Sequence, residues 1–67
     1  MLGVRQIQIL KLLAKGLSEK QIAIELKLSY GTIHTYTTRL REEFNVHSNL
    51  QTVMFALKNN IIKLEEI

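Results

Sequence analysis

Apolar positions recur at three- and four-residue intervals along most of this 67-residue chain, and no alternation of period two lasts more than a few residues. That rhythm predicts helices, because side chains three and four apart share one helical face. From Val4, one stripe runs through Ile7, Leu10 and Ala14, widened by Ile9, Leu12 and Leu13, and Gly16 is placed to end it just past the last turn. A first helix is therefore expected over residues 4–15. Ser18 can cap a second helix, with Gln21 three residues on completing a Ser-x-x-Gln capping box. This helix, residues 18–27, turns Ile22, Ala23 and Leu26 inward. Ser29 can cap a third, residues 30–44, in which Ile33, Thr37, Leu40 and Phe44 share the buried face. Asn45 tolerates the left-handed conformation that stops a helix.

A fourth helix, residues 49–58, opens at His47-Ser48-Asn49 and contains Val53-Met54-Phe55-Ala56-Leu57, apolar all round for more than a turn. Val53, Ala56 and Leu57, with Leu50, are expected to cover the other helices. That leaves Met54, and Phe55 or Leu50, as an exposed patch of the kind that marks an interface; the competing reading is a helix wholly buried in a tight core. Asn59-Asn60 breaks the helix and leaves Ile61-Ile62-Lys63-Leu64 as a short apolar tail. The fold class is thus all-α: one compact four-helix domain over residues 1–67. Its second and third helices are separated by the short link of a helix-turn-helix.

Composition narrows this without redirecting it. At 46% hydrophobic content the chain can build a core, and without cysteine it has no disulfide or thiolate metal site to brace it. No apolar run approaches the roughly 20 residues of a membrane span, and the start lacks a signal peptide's apolar stretch. A cytoplasmic protein is the expectation. The charge is unevenly spread. Arg5, Lys11, Lys15, Lys20, Lys27, Arg39 and Arg41 face only Glu19 and Glu25 in the first two thirds. Lys58 and Lys63 face Glu42, Glu43, Glu65 and Glu66 in the remainder. A polyanion would meet the basic front.

Catalysis and metal binding find no support. His34 and His47 lack Asp or Cys partners at triad or ligand spacing, and there is no Gly-rich phosphate loop. No cofactor is expected. In the third helix, Thr35 and Thr38 can offer hydroxyls or methyls to base edges, and His34 can donate to a guanine acceptor. Three threonines in four positions (Thr35, Thr37, Thr38) are poor choices for a merely solvated helix. Phosphate candidates are Lys20, Ser29, Thr32, Arg39 and Arg41, with Glu42 and Glu43 placed to blunt Arg39. For Lys20 a solvated surface role fits nearly as well. Tyr36 can equally reach a phosphate or cover the core edge.

Gly16-Leu17-Ser18-Glu19-Lys20-Gln21-Ile22-Ala23-Ile24-Glu25-Leu26 resembles the scaffold helix of LuxR/FixJ-type helix-turn-helix domains. The likeness continues through Ser29-Tyr30-Gly31-Thr32-Ile33-His34-Thr35-Tyr36 and Phe44-Asn45-Val46-His47-Ser48-Asn49, and Leu2 to Leu10 resembles the family's opening, so it spans nearly the whole chain. The resemblance implies a sequence-specific double-stranded DNA-binding domain of a bacterial transcriptional regulator, with His34, Thr35 and Thr38 reading bases. It also implies a homodimer formed through the last helix. A receiver or ligand-binding domain upstream would make this chain the output half of a switch. Departures are Gln6 and Gln8 where glutamates are usual, His34 for a base-reading lysine, Glu43 for a phosphate-facing lysine and Asn49 for arginine. The rival readings are a sigma-factor region 4 module, which Gly31-Thr32-Ile33 and Arg39-Leu40-Arg41 resemble, and a helical protein-binding module using the last helix.

Overall fold

In the computed structural model, which describes residues 2–67, four α-helices follow one another in the expected order. They are α1 (Val4–Ala14), α2 (Glu19–Leu26), α3 (Tyr30–Phe44) and α4 (Asn49–Lys58), and a short 3-10 turn spans Leu64–Glu66. The helices start where local side chains can satisfy their free amides. The Ser18 hydroxyl accepts from the Gln21 amide at 3.1 Å while the Gln21 side chain accepts from the Ser18 amide at 2.8 Å. Ser29 and Ser48 accept in the same way from Thr32 and Gln51.

One device ends all four helices. Gly16, Lys27, Asn45 and Asn60 have positive φ (93°, 57°, 55° and 57°), and the amide of the next residue reaches back to a carbonyl five residues earlier. Those next residues are Leu17, Leu28, Val46 and Ile61, and each packs against the core. This is the Schellman closure with its apolar follow-on contact. Gly16 and Asn45 were expected in this role. Lys27 was not, since lysine gains no relief from left-handed strain.

The core joins all four helices and the tail: Ile9, Leu10 and Leu13 from α1, Ile22 and Ala23 from α2, Ile33, Leu40 and Phe44 from α3, Ala56 from α4 and Ile62 from the tail. The buried face expected of α3 is the observed one. Two other expectations need correction. Leu50 is 72% exposed instead of covering the core, and Thr52 takes the buried place on α4. Thr52 can do so because its hydroxyl donates to the Ser48 carbonyl at 2.9 Å, leaving its methyl for packing. Phe55 is the second: it is half-buried and stacks on Phe44 with ring centroids 4.4 Å apart, which leaves Leu50 and Met54 as the two exposed large apolar residues of α4. The short apolar tail docks on the core. Asn60 reverses the chain, Ile62 is buried, and Glu66 pairs with Lys11 of α1 at 3.3 Å. On α1, Val4 is exposed, and Arg5 donates to Gln8, one of the two glutamines that stand where glutamates are usual, at 3.1 Å.

Candidate nucleic-acid interface

α2 and α3 pack against each other across the Lys27–Ser29 link, and α3 rests its Ile33–Thr37–Leu40–Phe44 face on the core. Everything else on the first half of α3 is therefore turned outward. Tyr30, Gly31, Thr32, His34, Thr35 and Arg39 are exposed, while Tyr36 and Thr38 are half-buried. A convex helix with its N-terminal half free in this way matches the geometry that lays side chains against base edges in a major groove.

The polar residues of α3 divide into two groups. Thr32, Thr35, Tyr36 and Arg39 line a shallow concavity of about 240 Å³. Here the Thr35 hydroxyl donates to the Gly31 carbonyl at 2.9 Å, and the Ser29 and Thr32 hydroxyls share a hydrogen bond at 2.8 Å. Tyr36 also packs against the core, so its two sequence readings are compatible: a ring on the core edge and a face on the concavity. Among the described residues, no ion pair joins Arg39 to Glu42 or Glu43, so the expected blunting of Arg39 is absent.

The second group converges on Glu19, a residue that the sequence reading treated only as a charge. One carboxylate oxygen, Oε2, accepts from Thr37 Oγ1 and from Asn49 Nδ2, each at 2.8 Å. The other, Oε1, lies 2.8 Å from His34 Nδ1. Arg41 donates through Nη1 to Asn49 Oδ1 at 2.6 Å and through Nη2 to Thr38 Oγ1 at 3.1 Å, and its Nη1 is 3.7 Å from Glu19 Oε2. Burial pushes the Glu19 carboxyl up, but the hydrogen bonds from Asn49, His34 and Thr37 and the charge of His34 outweigh it and hold the group below its ordinary value. The Thr37 hydroxyl is fully buried, and no buried side-chain nitrogen or oxygen among the described residues lacks a partner.

These contacts redistribute the expected roles. His34 and Thr35 are exposed and available to a base, whereas Thr38 is half-buried and already engaged by Arg41. Lys20, Ser29 and Thr32 are exposed at the starts of α2 and α3, and Arg39 is exposed on the outer flank of α3. Arg41 differs from the other phosphate candidates: its side chain is 21% exposed and both guanidinium nitrogens that make contacts point inward. Leu50 and Met54 are exposed on α4 at 72% and 46%. Sequence reasoning missed Glu19 because its partners lie 15, 18 and 30 residues away.

The architecture and its exposed reading helix define a helix-turn-helix domain of the DNA-binding kind. The chain belongs to the luxR family of bacterial regulatory proteins, whose model matches residues 1–56. It is 40% identical over 60 residues to the virulence-factor transcription regulator BvgA of Bordetella pertussis, covering 90% of this chain and 29% of that protein. It is 34% identical over 61 residues to the oxygen regulatory protein NreC of Staphylococcus carnosus, covering 91% of this chain and 28% of that protein. A crystal structure of the response regulator ChrA, from a heme-sensing two-component system, superposes with a TM-score of 0.90 at 29% identity over 92% of this chain and 31% of that one. The chain thus spans under a third of the length of these relatives. Family membership sets aside the sigma-factor reading, and the family is a class of transcription regulators, not of enzymes.

Proposed function

We propose that this domain binds double-stranded DNA sequence-specifically, with α3 in the major groove, as the output domain of a bacterial transcription regulator. The observation that carries the reading is the outward half of α3, where His34, Thr35 and the Thr32–Tyr36–Arg39 concavity lie beside the exposed first turn of α2. His34, Thr35 and Thr38 face base edges. Lys20, Ser29, Thr32, Tyr36 and Arg39 lie along the phosphates, and Arg41, with two of its five N–H donors engaged by Asn49 and Thr38, joins them through the remainder. A receiver domain elsewhere in a longer protein fits relatives of which this chain spans under a third. Among the described residues no helix is long and apolar enough to cross a membrane, in keeping with a regulator that works in the cytoplasm.

Titration of duplex DNA at several salt concentrations tests the reading. The logarithm of affinity should fall linearly with the logarithm of salt, by about 0.9 per phosphate neutralised. No binding at low salt, or binding indifferent to salt, would leave the protein-binding alternative in its place. Pairing of two copies through Leu50 and Met54 of α4 is part of the same proposal, supported by their exposure on an apolar helix. Sedimentation on a duplex with two half-sites should give two copies per duplex; one copy at saturation removes the pairing.

A further inference from the structure

The proton directions around Glu19 are dictated by chemistry. A guanidinium has donors only, so the Asn49 atom 2.6 Å from Arg41 Nη1 is the carbonyl oxygen. The Asn49 amide then faces Glu19 and donates to Oε2. An ionised carboxylate only accepts. A neutral His34 must therefore carry its single ring proton on Nδ1, which lies 2.8 Å from Glu19 Oε1. Its other nitrogen, Nε2, is left as a lone-pair acceptor. The ring is 53% exposed and stacks on Tyr30 at 5.8 Å and 15°, so it is fixed on two sides and open on the rest. Arg41 is the other charged group at this carboxylate, and α4 contributes only the uncharged Asn49.

We propose that Glu19 is a positioning residue that sets the hydrogen-bonding polarity of His34, so that His34 presents an acceptor and selects adenine or cytosine on the strand it contacts. In the major groove those two bases offer an exocyclic amine, whereas guanine and thymine offer acceptors. The inference rests on the DNA-binding reading and reverses the expectation that His34 donates to guanine. It places part of the base preference on α2, in a side chain that touches no base.

Glu19→Gln separates this from a merely structural role. Asn49 is held with its amide toward position 19 by Arg41, so the new side chain must turn its carbonyl oxygen to Asn49 and its amide to His34. His34 Nδ1 then accepts, and Nε2 carries the proton. Nitrogen-15 shifts of the ring, recorded in the free protein at about pH 8.5, above the ordinary imidazole value of about 6.5, report the tautomer directly, with His47→Gln assigning the second histidine. The expected result is a protonated Nδ1 in the wild type and a protonated Nε2 in Glu19→Gln. Selection from randomised duplexes at the same pH should move one position from adenine or cytosine toward guanine or thymine by at least about fivefold. A protonated Nε2 in the wild type, a measurement that needs no variant to fold, overturns the proposal. So does an unchanged base preference in a Glu19→Gln protein whose tautomer has switched. Inversion of the tautomer in a protein without salt-dependent duplex binding upholds the positioning and overturns the DNA reading.

Discussion

The two flanks of α3 are built from similar residues and end in opposite states. On one, His34, Thr37, Thr38 and Arg41 are tied through Glu19 and Asn49 into a single polar network that spans α2, α3 and α4. On the other, Thr32, Thr35, Tyr36 and Arg39 surround an open concavity and bond only within their own turn. The wired flank fixes how α3 sits on the scaffold. The open flank keeps its capacity for an outside partner in Arg39, whose guanidinium makes no ion pair among the described residues and gives up none when it meets a phosphate. The same kind of residue is structural on one side of a helix and available on the other.

The sharpest way to break this comparison is to cut the network at its centre. Glu19→Ala leaves Asn49 without its acceptor, leaves Arg41 without a nearby anion and reduces Thr37 to its bond with the His34 carbonyl. It should cost about 2 kcal/mol of stability, measured by urea unfolding. The pH dependence follows from the same group. The folded-state value of Glu19 lies below the ordinary 4.5, so its stabilisation is fully present above 4.5 and is lost as pH falls through the lowered value. Exposed Glu66 is shifted the same way, by its bond from the Lys63 amide and by Lys11. The wild-type stability curve minus that of Glu19→Gln therefore isolates Glu19. A difference that stays constant as pH falls below 4.5 would show that the carboxylate contributes no charge-dependent stability.

On the open flank, Arg39→Ala should leave stability within about 0.5 kcal/mol of the wild type. It should weaken binding to all duplexes alike and lower the salt slope by about 1. A loss confined to one sequence would instead make Arg39 a base reader. The smallest effect tests the helix ends. Lys27→Gly relieves left-handed strain of roughly 1–2 kcal/mol but gives back 0.5–1 in unfolded-chain entropy, for a net gain of about 0.5 kcal/mol.

What the sequence made legible follows from how local each signal is. Ser18 with Gln21, Ser29, Gly16 and Asn45 act on neighbours within a turn, and each was readable with its role. The buried face of α3 was readable because four apolar-compatible positions repeat at helical spacing. α4 was harder: its apolar run has no polar side to fix its rotation, so Leu50 looked like core, while Thr52 hid its hydroxyl on the Ser48 carbonyl and took that place. Lys27 was unreadable as a left-handed residue because its conformation is imposed by Leu28 docking on the core. The exposed positions of Lys20, Thr32, Thr35 and Arg39 were readable from helical spacing. The Glu19 cluster was not, since it exists only once three helices meet.

The central claim is that α3, backed by the start of α2, is the surface that meets DNA. Backbone amide shifts recorded while a bound duplex is titrated into the labelled protein test it most directly. The largest changes should fall on residues 30–39 and on Glu19 and Lys20, with Ile61 to Ile67 unmoved. Changes centred on Ile61 to Ile67 or on α1, with α3 silent, would contradict it.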